Sequence, residues 1–137
     1  KAELRSGNVY TSKGVAAFTR PLFEHYHSVT PVSTIMVRAD SGFAMPDLYE
    51  LCEEYDSLYT IRLKSNRNLY RIAEQFVTIK DHHDWSKKEV HYYNATYQAK
   101  SWGKSRRICI YFDYTLKNHL FVYFFDYTRG IFVNRKI

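Results

Sequence analysis

The stretch Thr34-Ile35-Met36-Val37-Arg38-Ala39-Asp40-Ser41-Gly42-Phe43-Ala44-Met45-Pro46 decides how this chain folds. It opens on an apolar, partly β-branched run, reaches a carboxylate, turns on a glycine and enters a helix. Ile35 and Val37 favour a strand, and the run is short enough to be one. Gly42 admits backbone angles that other residues resist. Pro46 suits the first turn of a helix, where its missing N–H costs nothing, and Asp47 suits the positive end of the helix dipole. Asp40 is therefore expected at the carboxyl end of a strand over 35–39, at the mouth of a strand–turn–helix unit. In open α/β sheets that edge is where ligands bind.

Working downstream, Leu48, Leu51, Cys52 and Tyr55 have the spacing of a buried face on a helix over 46–55. A strand follows over 58–63. Asn66 can then cap a short helix reaching 75, with Leu69, Ile72 and Ala73 turned inward. Upstream, Thr11 or Ser12 can cap a helix over 13–26 that buries Val15, Phe18, Leu22, Phe23 and Tyr26, and Pro21 should kink it. Residues 27–33, with Pro31, read as a loop. Residues 1–5 read as the tail of a further strand, ended by Ser6-Gly7-Asn8. Strand alternating with helix in this way predicts a parallel sheet with helices packed on it. After Phe76 the character changes. A polar loop over 81–89 precedes three β-prone runs, 90–97, 108–112 and 120–125. The breaks at Trp102-Gly103-Lys104 and Lys117-Asn118-His119 predict antiparallel hairpins. The expected class is α/β, with an α/β half over 1–76 and a β-rich half over 77–137.

The chain has 137 residues, about one domain's worth, and its 45% hydrophobic and 25% charged content is that of a globular protein. No apolar run approaches the roughly 20 residues of a membrane span, and no signal peptide is evident, so a cytoplasmic protein with no membrane partner is expected. The first residue is Lys1, which implies a processed N-terminus or a piece of a longer chain. Net charge is +6, and residues 62–107 alone hold eleven Lys and Arg against four Asp and Glu. A polyanionic partner fits that excess. Cys52 and Cys109 lack metal-type spacing and read as reduced packing residues. The sequon Asn94-Ala95-Thr96 reads as chance in the absence of a secretory signal.

Four stretches together resemble the DDE-type transposases of bacterial insertion sequences. They are Glu3-Leu4-Arg5 through Gly7-Asn8 to Ser12-Lys13-Gly14, with Phe18 and Pro21 behind; Arg38-Ala39-Asp40-Ser41-Gly42-Phe43-Ala44, followed by Leu48-Tyr49-Glu50-Leu51-Cys52-Glu53; Tyr59 through Arg62-Leu63-Lys64 to Asn66 and Leu69; and Tyr97-Gln98-Ala99-Lys100-Ser101-Trp102 with Arg106-Arg107. The resemblance covers most of residues 3–112, and the string around Asp40 is its most specific part. It implies a ribonuclease H-like mixed sheet with flanking helices, incomplete here, interrupted by a β-rich insertion over 77–137. In that family three carboxylates hold two divalent metals, Mg²⁺ or Mn²⁺. Asp40 matches the second carboxylate, as a catalytic metal ligand. The first Asp would lie upstream of Lys1 and the Glu beyond Ile137. The tail over 123–137 departs from the family pattern. The implied function is cleavage and transfer of DNA ends by a nucleoid-associated, self-associating parent protein acting on inverted repeats and target DNA, with this fragment inactive alone.

Arg38, Lys64, Asn66, Arg67 and Arg71 are expected to flank the same sheet edge as Asp40, as DNA phosphate contacts or as a solvated basic face. Lys100, Lys104, Arg106 and Arg107 surround Trp102, a mixture suited to DNA near a frayed end. The plainer reading there is an exposed hairpin turn with Trp102 packed beneath it. His82-His83-Asp84 has no third ligand at suitable spacing and reads as a solvated loop. His25 and His27 are expected to have no catalytic role. Two rival readings stay open: a non-enzymatic nucleic-acid-binding module using the basic β-rich half, and a relic without function.

Overall fold

The computed structural model describes residues 2–4, 6–29, 34–76, 89–115 and 119–127, with side chains as far as residue 113. The expected loops around Pro31 and His82-His83-Asp84, the turn residues Lys117 and Asn118, and the tail beyond 127 lie outside these.

Helix α1 spans Val15–Val29, strand β1 Met36–Ala39, helix α2 Pro46–Glu54, strand β2 Leu58–Arg62 and helix α3 Arg67–Glu74. Three longer strands follow: β3 Glu89–Tyr97, β4 Arg106–Thr115 and β5 His119–Tyr127. They form one five-stranded sheet in the order β1-β2-β5-β4-β3. β1 and β2 are parallel, whereas β5 runs antiparallel to β2 and β4, and β3 antiparallel to β4. The chain is mixed α/β, and the β-rich half continues the sheet of the first half through the β2–β5 pairing.

Alternation along the strands sets the core. Tyr59, Ile61 and Leu63 of the β2 segment and Ile108, Ile110 and Phe112 of β4 are buried on one face. Phe23 of α1, Leu48, Tyr49, Leu51 and Cys52 of α2, and Leu69 and Ala73 of α3 complete the same cluster. The periodicity of α2 and α3 is thus the one expected, with Tyr49 as an additional core residue. Burial pushes the Cys52 thiol up to about 12 and that of Cys109 to about 11, which keeps both protonated and unreactive at neutral pH.

Three local expectations are corrected. Residues 2–4 form no strand, and Leu4 is fully exposed. A strand needs a neighbour to accept its ladder, and no described strand pairs with this segment. Helix α1 starts at Val15, behind Gly14 with φ 73°, and runs on to Val29 without a break at Pro21. Tyr26, expected on the buried face, is exposed.

Asn66 caps α3 as expected: its side-chain oxygen accepts the N–H groups of Asn68 at 3.0 Å and Leu69 at 3.1 Å. Its amide also donates to the Tyr97 hydroxyl at 3.2 Å. Asn66→Ala removes the acceptor for those otherwise unpaired helix donors. It should cost about 1 kcal/mol in urea unfolding, and a loss below roughly 0.3 kcal/mol would show that α3 does not depend on its cap.

Candidate functional site

Asp40 follows the last residue of β1 and opens a short 3-10 turn, Ser41–Phe43, which leads into α2 with Pro46 at its first turn. The carboxylate is exposed at the strand end. Its Oδ1 accepts the Gly42 N–H at 2.8 Å, and the Asp40 carbonyl accepts the Phe43 N–H at 3.1 Å. Beside it lies a cleft of about 360 Å³ between β1 and α1. Phe23, Val37, Phe43 and Leu48 supply apolar walls, and Thr19, Arg38 and Asp40 its polar side chains.

Sheet register divides the basic residues into groups. Pairing draws one row across all five strands: Ala39, Ile61, Asp126, Ile108 and Ala95. β1, β2 and β4 run in the same direction through it. Asp40, Arg62 and Lys64 lie beyond the row at one end, whereas Arg106 and Arg107 precede it at the other. Arg38 therefore stays with Asp40, in the same cleft. Asn66 is not brought to Asp40: it is tied to Tyr97, at the end of β3 that leads into the Trp102 turn. Arg67 and Arg71 are exposed on α3.

The turn at the far end is built around Glu53, the penultimate residue of α2. Arg106 donates from Nε to Glu53 Oε1 at 2.9 Å and from its second guanidinium nitrogen to Oε2 at 3.2 Å. Lys104 reaches Oε2 at 3.0 Å, and the Tyr59 hydroxyl lies 3.3 Å from Oε1. The Arg106 guanidinium sits 4.9 Å from the Tyr49 ring centre and 5.3 Å from that of Trp102. Trp102 is itself buried edge-on against Tyr49 and Tyr97. Burial alone would push the Glu53 carboxyl up; the hydrogen bonds and charges of Arg106 and Lys104 outweigh it and hold the group below its ordinary value. Trp102, Lys104 and Arg106 thus tie the β3–β4 turn to α2, while Lys100 and Arg107 are exposed. Sequence reasoning did not find this Glu53–Arg106 pair, which spans 53 residues and leaves no local signal.

As a donor set, Asp40 offers one hard carboxylate oxygen, Oδ2, that has no hydrogen-bond or ion-pair partner among the described residues. That suits Mg²⁺ or Mn²⁺ in kind. It does not suffice in number, since no group of three or more His, Cys, Asp or Glu that could hold a metal occurs among the described residues. Among the described residues, no helix is long and apolar enough to cross a membrane.

Comparison with protein families matches residues 1–128 to the model of the transposase DDE domain, group 1. Searches of the curated proteins and of the solved structures return no significant match. That family acts in DNA transposition, binds DNA and generally uses a divalent metal. With the family match spanning nearly the whole sequence, and Asp40 standing at a strand end beside a cleft, the chain belongs to the DDE-domain transposases of group 1.

Proposed function

We propose that this chain is the central portion of the catalytic domain of an insertion-sequence transposase, and that Asp40 is one of three carboxylates that hold its metal ions. The observation that carries this is the position of Asp40: an exposed carboxylate at the end of a parallel strand, with one oxygen held by the backbone and the other open. The domain would be ribonuclease H-like, with residues 77–137 as a β-rich insertion whose strands extend its sheet. β1 stands at an edge of the described sheet. Adjacent strands lie roughly 4.8 Å apart, so a carboxylate on a further strand beside β1 would come within reach of the same ions. Bound Mg²⁺ or Mn²⁺ would supply an activated water and stabilise charge on the phosphate being cleaved.

The chain's own residues would orient and bind. Asp40 presents Oδ2, and Arg38, in the same cleft, is placed to meet a DNA phosphate. Lys64 leaves the sheet at that same end. Arg67, Arg71, Lys100 and Arg107 are exposed cations elsewhere on the surface that would add sequence-independent affinity. Binding of inverted-repeat ends and target DNA by a multimer, at the bacterial nucleoid, belongs to this reading. Alone, with one carboxylate of three, the chain is expected to bind DNA without cutting it.

Fluorescence anisotropy with duplex DNA at several salt concentrations, together with a plasmid-nicking assay in Mg²⁺ and Mn²⁺, tests this. The expected result is binding that weakens steeply with salt and persists in Asp40→Asn, with no nicking. Metal-dependent nicking by this chain, abolished by Asp40→Asn, would overturn it.

A further inference from the structure

The sequence suggests that Gly42 is needed for its backbone freedom, but the structure points elsewhere. Gly14 has the positive φ among the described glycines, and Gly42 does not. What distinguishes Gly42 is space. A Cβ built on it would stand 3.1 Å from Asp40 Oδ1, whereas Gly7, Gly14 and Gly103 would meet nothing within 4 Å. The same oxygen receives the Gly42 N–H at 2.8 Å. The glycine therefore touches the carboxylate twice: it donates a hydrogen bond and leaves vacant the volume that the bond requires.

We propose that Gly42 is a positioning residue for the Asp40 carboxylate, holding Oδ1 through its backbone N–H so that Oδ2 is offered to a divalent cation in one fixed orientation. This rests on the reading of Asp40 as a metal ligand. A hydrogen bond to an ionised acceptor is stronger than one between neutral groups, so it restrains the side-chain torsions of an otherwise exposed Asp. Mg²⁺ tolerates little departure from octahedral geometry, so a wandering carboxylate binds it less well. Loss of a group that orients a ligand typically costs about 10- to 100-fold in metal affinity. Ser41 lies between the two partners in sequence and takes no part in the contact.

The test uses the whole chain and Mn²⁺ alone as the probe. Paramagnetic broadening of the backbone amide signals at positions 40–43 is followed by NMR as Mn²⁺ is added, and melting temperature is recorded for each variant. In the wild type these amides should broaden first, and in Asp40→Asn the effect should vanish. Gly42→Ala should need about 10-fold more Mn²⁺ for the same broadening, at an almost unchanged melting temperature, and Ser41→Ala should behave as wild type. Asp40→Glu keeps the charge but shifts the carboxylate by one methylene. It should show a similar loss, which keeps the proposal testable should Gly42→Ala fail to fold. Broadening in both Gly42→Ala and Asp40→Glu at wild-type Mn²⁺ levels would overturn the positioning role while leaving Asp40 a ligand. No broadening at 40–43 in the wild type would overturn the metal reading of Asp40 itself, and the positioning role with it.

Discussion

Arg106→Ala should destabilise the chain by about 3 kcal/mol, which for a domain of this size lowers the melting temperature by roughly 10 °C. The side chain of Arg106 is 3% exposed and that of Glu53 25%, so the mutation leaves a mostly buried carboxylate short of its principal partner. Removing one member of a buried pair typically costs about 3–5 kcal/mol. The low end applies because Lys104 remains within 3.0 Å of Glu53. The rings of Tyr49 and Trp102 also lose the guanidinium packed against them. Arg107, the next residue, is exposed and points from the opposite face of β4, so Arg107→Ala should change stability by less than about 0.5 kcal/mol. Urea unfolding of the two variants makes the comparison, and equal small losses would show that the Glu53 cluster carries no stability.

Acid should act on the same pair. The folded-state carboxyl of Glu53 titrates below its ordinary value, so its stabilisation is present above the usual carboxylate range and is lost as pH falls through the folded value. Arg106→Ala should flatten that part of the pH profile.

The elements around Asp40 were legible because their signals are local. The apolar run, the Pro46 start of α2, the Asn66 cap and the periodicity of α2 and α3 each lie within a few residues of one another. The sheet order was not legible. β5 pairs with β2 as well as with β4, and nothing in residues 119–127 marks a partner some sixty residues earlier in the chain. The Glu53–Arg106 pair was hidden for the same reason. Trp102 looked equally suited to packing and to DNA, and only its burial against Tyr49 and Tyr97 separates the two. Gly42 was singled out on local grounds but for the wrong one. A turn glycine suggests an unusual φ, whereas the requirement here is the closeness of Asp40 Oδ1.

Asp40→Asn should have the largest effect of any substitution on function. The change keeps size and shape, and the Asn side-chain oxygen can still accept the Gly42 N–H, so the turn should form and stability should hold. What it removes is the negative charge at the one carboxylate of the described strand end, and with it the attraction for a divalent ion. Metal stabilisation of the cleaved phosphate is worth several kcal/mol, so its loss should slow the reaction by about 10³-fold or more. The direct measurement is Mg²⁺-dependent cleavage of an inverted-repeat DNA end by the transposase that contains this chain together with the strand and helix carrying its other two carboxylates. Loss of cleavage in Asp40→Asn, with DNA binding and melting temperature unchanged, is the predicted result. Cleavage at the wild-type rate in Asp40→Asn would contradict the account.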